Sequence, residues 1–131
     1  MDVETLRSVP LFDSLPADVL EKFAVWVGEL RVGKGRHLAE QGDYAYELYV
    51  IEEGEAEVFQ DGQRIAELGP GEVFGEMGVL EKAPRNATVV SSTPMRLLTL
   101  SHWDVKRLER QAPEAVFELR RAIDARRGGG S

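Results

Sequence analysis

The spacing of apolar residues divides the chain into a helical beginning, a strand-rich middle and a helical end. Within residues 3–27, apolar side chains recur at intervals of three and four, as they do on one face of a helix. They are Leu20, Phe23, Ala24 and Val27. Within residues 101–127 the same spacing occurs twice, before and after Pro113, and Ser101 and Asp104 fit a capping box at its start. The repeating positions there are Val105, Leu108 and Ala112, followed by Val116, Leu119 and Ile123.

The middle of the chain contains short segments that are rich in β-favouring residues and separated by glycines. They are ELRV (29–32), RHLAE (36–40), ELYVIE (47–52), EAEVFQ (55–60), QRIAEL (63–68), ATVVSS (87–92) and MRLLTL (95–100). Asp61-Gly62, a dipeptide favoured in tight hairpin turns, joins two of these segments. The pattern predicts eight or so strands in a sandwich or barrel, which makes an all-β core flanked by helices.

Composition narrows the class of protein. The 131 residues are 43% hydrophobic and 30% charged, which is typical of one globular domain. The absence of cysteine excludes disulfides, thiolate metal sites and cysteine nucleophiles. No apolar run approaches the roughly 20 residues of a membrane span, and the N-terminus lacks the apolar stretch of a secretory signal, so a cytoplasmic location is expected. The terminal GGGS predicts a linker at residues 128–131, after a domain at residues 1–127.

The net charge of −7 is distributed unevenly. Residues 1–100 hold 18 acidic and 9 basic residues, a net charge of −9, whereas residues 101–127 hold 5 and 7, a net charge of +2. A nucleic-acid-binding face needs clustered Lys and Arg to neutralise phosphates, so direct binding of nucleic acid is not expected. An acidic body still permits a single anion in a small local pocket.

The candidate chemistry lies in FGEMGVLEKAPRNAT, residues 74–88. Gly75 follows a strand and precedes a possible helical turn, a place where exposed backbone N–H groups bind anions, and Gly78 allows a second close approach of the backbone. The planar fork of Arg85 can hold a phosphate through two hydrogen bonds. Glu76 only accepts hydrogen bonds and would take one from a hydroxyl group. Together these residues indicate a ligand that carries both a phosphate and a hydroxyl, such as a ribose phosphate.

This segment resembles the phosphate-binding cassette of cyclic nucleotide-binding domains, found in catabolite activator protein and in protein kinase A regulatory subunits. The similarity extends over nearly the whole chain and includes turn glycines in GKGRHLAEQGD, IEEGEAEV and LGPGEVFGE. It implies an eight-stranded β-roll, or jelly roll, with N-terminal and C-terminal helices. It also implies a cytoplasmic regulatory module that binds a cyclic nucleotide and controls an effector through its C-terminal helices.

The resemblance also implies residue roles. Arg85 matches the arginine that binds the phosphate, and Glu76 matches the glutamate that accepts from the ribose 2′-hydroxyl. The other residues of the implied binding site are Phe74, Gly75, Met77, Gly78, Pro84, Asn86 and Ala87. The family often has Ala at the position of Gly78, and Ala, Ser or Thr at that of Asn86. Because the Asn side chain both donates and accepts hydrogen bonds, Asn86 does not distinguish adenine from guanine as the base of the ligand. Cyclic AMP is expected over cyclic GMP because it is the commoner messenger.

A lid over the base is implied for the C-terminal helix, from Phe117, Arg120 or Ile123, although ordinary packing of these residues is the alternative. The second functional hypothesis is a ligand-free fold of the same kind used for protein interaction. Catalysis is not expected, because no nucleophile–base pair or metal-ligand cluster has a recognisable spacing. His37 and His102 are expected at the surface or at a cap, and Trp26 and Trp103 in helix packing.

Overall fold

The computed structural model describes residues 2–9, 12–13, 15–44, 47–75 and 85–127, with side chains as far as Ala122. In chain order the helices are α1 (Val3–Arg7), α2 (Ala17–Trp26), α3 (His102–Gln111) and α4 (Pro113–Arg127). The strands are β1 (Gly28–Val32), β2 (His37–Ala39), β3 (Glu47–Glu53), β4 (Ala56–Gln60), β5 (Gln63–Leu68), β6 (Val73–Phe74), β7 (Thr88–Ser91) and β8 (Met95–Ser101).

The strands form two four-stranded antiparallel sheets, with the orders β1-β8-β3-β6 and β2-β7-β4-β5. At the β4–β5 hairpin, Asp61 and Gly62 have φ angles of 54° and 81°, the pair of positive values that a type I′ turn requires. The predicted β-roll with flanking helices is confirmed, and each of the seven predicted segments contains a strand. The two-residue strand β6 was not among them, because so short a segment shows no alternation.

Two apolar clusters lie on opposite faces of the β1-β8-β3-β6 sheet. One fills the interior of the roll and includes Tyr49, Ile51 and Leu97. The other joins the outer face of the sheet to the helices and includes Leu48 and Leu100. Strands β3 and β8 contribute to both clusters in alternation, because successive side chains of a strand point to opposite faces. This explains why their sequences, LYVI and LLTL, are almost uninterrupted apolar runs.

The helices cover the outer face of that sheet. The Ser101 hydroxyl accepts a hydrogen bond from the backbone N–H of Asp104 at 3.1 Å, as the capping box predicts. The Arg107 guanidinium lies 4.8 Å from the centre of the Trp26 ring. Two expectations for α3 were wrong. His102 was expected at the surface or at a cap and is only 4% exposed, and Trp103 was expected in helix packing and is 61% exposed. His102 lies three residues before the buried Val105 and therefore shares its helix face.

None of the helices in the described ranges is long and apolar enough to span a membrane.

Candidate functional site

A cavity of about 300 Å³ opens in the β-roll between β4, β5, β6 and the start of β7. Its walls are mainly apolar, with a guanidinium and two amide side chains among them. The lining residues are Ala39, Val58, Gln60, Ile65, Ala66, Leu68, Val73, Phe74, Gly75, Arg85, Asn86, Ala87 and Val89. The structure therefore brings together five of the site residues predicted from the sequence. They are Phe74 and Gly75 from one part of the chain and Arg85, Asn86 and Ala87 from another.

Arg85 is tied to the fold through both its backbone and its side chain. Its N–H donates to the carbonyl of Asp43 at 2.7 Å, and its carbonyl accepts from the N–H of Gly42 at 2.8 Å. Its Nη2 donates to the carbonyl of Glu47, the first residue of β3, at 3.1 Å. The backbone of Arg85 is thus attached to the β2–β3 connection, and its guanidinium is attached to β3 at one wall of the cavity.

An aromatic pair lies beside the guanidinium. The rings of Tyr49 and Phe74 are stacked with their centres 5.0 Å apart and an angle of 23° between their planes. The Cζ atom of Arg85 lies over the Tyr49 ring, 5.8 Å from its centre, which is within the range of a cation–π interaction. Burial raises the pKa of the Tyr49 phenol, and the charge of Glu47 adds to this, while Arg85 and Arg36 lower it.

Gly75 leaves the space that the Arg85 side chain occupies. Its φ of 83° lies in the region that favours glycine. A Cβ atom placed there would approach the Glu47 carbonyl oxygen to 2.8 Å and would collide with Nη1 of Arg85. Glycine at this position is therefore required both by the backbone and by the approach of the guanidinium.

A hydrogen bond also joins β4 to the segment after Arg85, at the cavity. Nε2 of Gln60 donates to the carbonyl of Asn86 at 3.2 Å. Because a carbonyl only accepts, this contact assigns the amide orientation of Gln60. Gln60 thereby holds Asn86 against the end of β4, with both residues at the cavity.

A second cavity of about 210 Å³ also has Arg85 in its lining. Its lining is more acidic than that of the first cavity, because Glu40, Asp43 and Glu47 all contribute. Arg85 and Ala39 belong to both linings. Arg85 thus contributes both to a mainly apolar cavity and to one with an acidic lining.

The remaining predicted site residues have different outcomes. Glu76, Met77, Gly78 and Pro84 lie outside the described residues, as does the side chain of Ile123. Phe117 is 60% exposed, and Arg120 lies 3.8 Å from Glu109 of α3. Neither is among the described residues that line the 300 Å³ cavity, so the structure does not bring these two candidates for the implied lid to it.

Sequence reasoning missed three residues of the site, namely Glu47, Tyr49 and Gln60. Alternation along β3 places Tyr49 on the same inward face as Ile51, which is a signal that could have identified it. Glu47 acts through its backbone carbonyl, which no side-chain pattern reveals. Within the described part of the chain, no group of three or more His, Asp or Glu side chains is arranged to hold a metal ion.

Comparisons with known proteins show which domain family the chain resembles. The family model for the cyclic nucleotide-binding domain matches residues 29–112. A cyclic nucleotide-gated potassium channel of Rhizobium etli is 31% identical over 126 residues, which are 96% of this chain and 35% of the channel. The cyclic AMP receptor protein of Thermus thermophilus is 32% identical over 127 residues, covering 93% of this chain and 58% of that protein. The chain therefore spans between about a third and three-fifths of the length of these two relatives.

Two solved structures have folds similar to that of this chain. The N-terminal domain of a transcriptional regulator from Streptomyces coelicolor superposes with a TM-score of 0.76 at 32% identity, covering 99% of this chain and 96% of that one. The catabolite activator protein of Thermus thermophilus superposes with a TM-score of 0.74 at 32% identity, covering 90% of this chain and 57% of that one. With its β-roll, its family match and these relatives, the chain belongs to the cyclic nucleotide-binding domain family.

Proposed function

We propose that this chain binds a cyclic nucleotide, cyclic AMP in preference to cyclic GMP, and works as a non-catalytic regulatory module. The observation that carries the proposal is the guanidinium of Arg85, held beside Gly75 at the wall of a mainly apolar cavity of about 300 Å³. This volume is at the lower end of the roughly 300–1,000 Å³ that is usual for small-molecule sites. The proposed domain is residues 1–127, with residues 128–131 as a linker.

The proposed role of Arg85 is to bind the cyclic phosphate. A guanidinium has five N–H donors in a planar fork, and phosphate oxygens match this geometry. The partly buried position strengthens the attraction, because charges interact more strongly where water is scarce. In a chain of net charge −7, this local arrangement, and not the overall field, has to attract the anion.

The proposed contacts with the sugar and base follow from the family resemblance and from the cavity. Glu76 is proposed to accept a hydrogen bond from the ribose 2′-hydroxyl. Backbone N–H groups of the segment that contains Gly75, Met77 and Gly78 are proposed to complete the phosphate site. The apolar side chains of Val58, Leu68 and Val89 offer the kind of surface on which a purine is buried.

The preference for cyclic AMP is supported by the similar proteins. Relatives of this chain include a cAMP-dependent protein kinase regulatory subunit of Schizosaccharomyces pombe, 32% identical over 94% of this chain, and the cyclic AMP receptor protein. A solved regulatory domain of Toxoplasma gondii protein kinase A with cyclic AMP is 25% identical and has a TM-score of 0.70. Cyclic GMP remains the alternative ligand, which Asn86 could serve through its amide.

The regulatory role is proposed to act on an effector through the C-terminal helices. Channels, kinase regulatory subunits and transcription regulators are among the relatives, so the effector class is open. A ligand shifts a conformational equilibrium only by its difference in affinity for the two states. The helices α3 and α4 are therefore proposed to take different positions in the free and bound states.

Titration calorimetry with cyclic AMP and with cyclic GMP tests the proposal directly. Arg85→Ala is expected to weaken binding by about tenfold or more, because a hydrogen bond to a charged group contributes about 1.5–3 kcal/mol. Arg31→Ala is the matched control, since this arginine has a side chain that is 75% exposed and pairs with Glu29 on β1. Equal affinity of Arg85→Ala and the unmodified protein would exclude this site. If neither nucleotide binds, the alternative hypothesis of a ligand-free fold used for protein interaction is favoured.

A further inference from the structure

The side chain of Arg85 is constrained from two directions by residues of the same strand. The carbonyl of Glu47 accepts from Nη2, which fixes one edge of the guanidinium. The ring of Tyr49, two residues further along β3, lies under Cζ. A planar group that is held at one edge and supported on one face has little freedom to rotate, so its N–H groups keep a constant direction.

Tyr49 is itself packed in the interior of the roll. It is 8% exposed, belongs to the cluster inside the roll and stacks on Phe74. Phe74 precedes Gly75, the residue that makes room for the guanidinium. The ring therefore connects the packed interior of the roll to the one cationic side chain in the lining of the 300 Å³ cavity, within the described residues.

We infer that Tyr49 is a positioning residue, whose aromatic face orients the Arg85 guanidinium toward the phosphate of the ligand. This inference rests on the proposed binding of a cyclic nucleotide. The face of the ring performs the task and the hydroxyl is not needed, since the guanidinium is attracted by the ring quadrupole, which Phe shares with Tyr. A ligand that binds to an arginine already in position does not have to order that side chain, and this gain appears as affinity.

The test is a double-mutant cycle on the full chain, with cyclic AMP affinity measured by calorimetry. Tyr49→Phe is expected to bind within about twofold of the unmodified protein. Tyr49→Leu is expected to bind about five- to thirtyfold more weakly, the range for loss of a cation–π contact. In an Arg85→Ala background, Tyr49→Leu is expected to cause no further loss. Tyr49→Met, whose unbranched side chain adapts to the space of the ring without an aromatic face, replaces Tyr49→Leu if that variant does not fold.

Ile51→Val is the matched control, because Ile51 lies on the same inward face of β3 and belongs to the same cluster. It is expected to leave affinity unchanged. Three results would overturn the inference: unchanged affinity in both non-aromatic variants, the same fold loss with and without Arg85, or a loss in Tyr49→Phe equal to that in Tyr49→Leu.

A measurement without nucleotide separates this inference from the proposed function. The Nε–Hε signal of Arg85 in NMR spectra, assigned by its disappearance in Arg85→Ala, reports the order of the guanidinium. It is expected to stay sharp in Tyr49→Phe and to broaden in Tyr49→Leu or Tyr49→Met. If the unmodified protein binds no cyclic nucleotide, the proposed function fails while this signal still decides whether Tyr49 orients Arg85. A sharp signal in the non-aromatic variants would contradict the orienting role even where binding is normal.

Discussion

Glu47 lies directly opposite Ser101 in the antiparallel ladder between β3 and β8. The same Glu47 accepts the hydrogen bond of Arg85 through its carbonyl, and the same Ser101 caps α3 through its hydroxyl. The proposed phosphate-binding side chain is therefore separated from the beginning of the C-terminal helices by a single pair of facing residues. This arrangement gives the proposed regulatory coupling a short physical connection.

Ser101→Ala is expected to destabilise the protein by about 1 kcal/mol, because it leaves the N–H of Asp104 without its capping oxygen. Chemical denaturation measures this loss. Ser101→Asp, which restores a capping oxygen, is expected to recover most of the stability and is the matched control. Equal stability of Ser101→Ala and the unmodified chain would show that the cap contributes nothing.

Gly75→Ala is expected to be more damaging than an alanine at another glycine with positive φ. Gly35 has a φ of 85° and nothing within 4 Å of the point that a Cβ atom would occupy, whereas at Gly75 the Cβ would meet Arg85 and Glu47. Gly35→Ala is therefore expected to cost about 1 kcal/mol from backbone strain alone. Gly75→Ala carries the same strain and also displaces the guanidinium, so nucleotide affinity falls as well. Denaturation and calorimetry on both variants measure the difference, and equal affinities would contradict it.

The elements of the roll were predictable because local chemistry determines them. Asp61-Gly62 predicts its hairpin, and the alternation of apolar residues predicts the strands around it. The hydrogen bond that supports Arg85 was not predictable, since it depends on a backbone carbonyl 38 residues away. Alternation along β3 indicates that Tyr49 faces inward, but not that the fold brings its ring near Arg85. The positions of His102 and Trp103 were predicted wrongly, although the helical spacing from Val105 places His102 on the buried face.

The residue at position 86 is expected to influence the choice of base. Asn86 lines the cavity and is held at its carbonyl by Gln60. Family resemblance associates Thr at this position with cyclic GMP and Ala with cyclic AMP. Asn86→Thr is therefore expected to raise the ratio of cyclic GMP affinity to cyclic AMP affinity, and Asn86→Ala to lower it. Calorimetric titration of each variant with both nucleotides measures the ratio, and a ratio that is the same in all three proteins would exclude a role for this side chain.

Alkaline pH is expected to reveal the burial of Tyr49. Its pKa is raised above the ordinary 10.0, first by burial and then by the charge of Glu47. Because the folded state holds the phenol proton more tightly than the unfolded state, Tyr49 contributes stability below the unfolded pKa, and this contribution is lost as pH rises through the folded pKa. The free energy of unfolding is therefore expected to fall more steeply above about pH 10 in the unmodified protein than in Tyr49→Phe. Denaturation at several alkaline pH values measures both slopes, and the difference in phenolate absorbance between the two proteins follows the titration of Tyr49 directly.

Arg85→Ala removes a cation that lowers the pKa of Tyr49, so the titration of Tyr49 is expected to move to still higher pH in that variant. The phenolate absorbance measures this shift, and a shift to lower pH would contradict the contact between the two side chains.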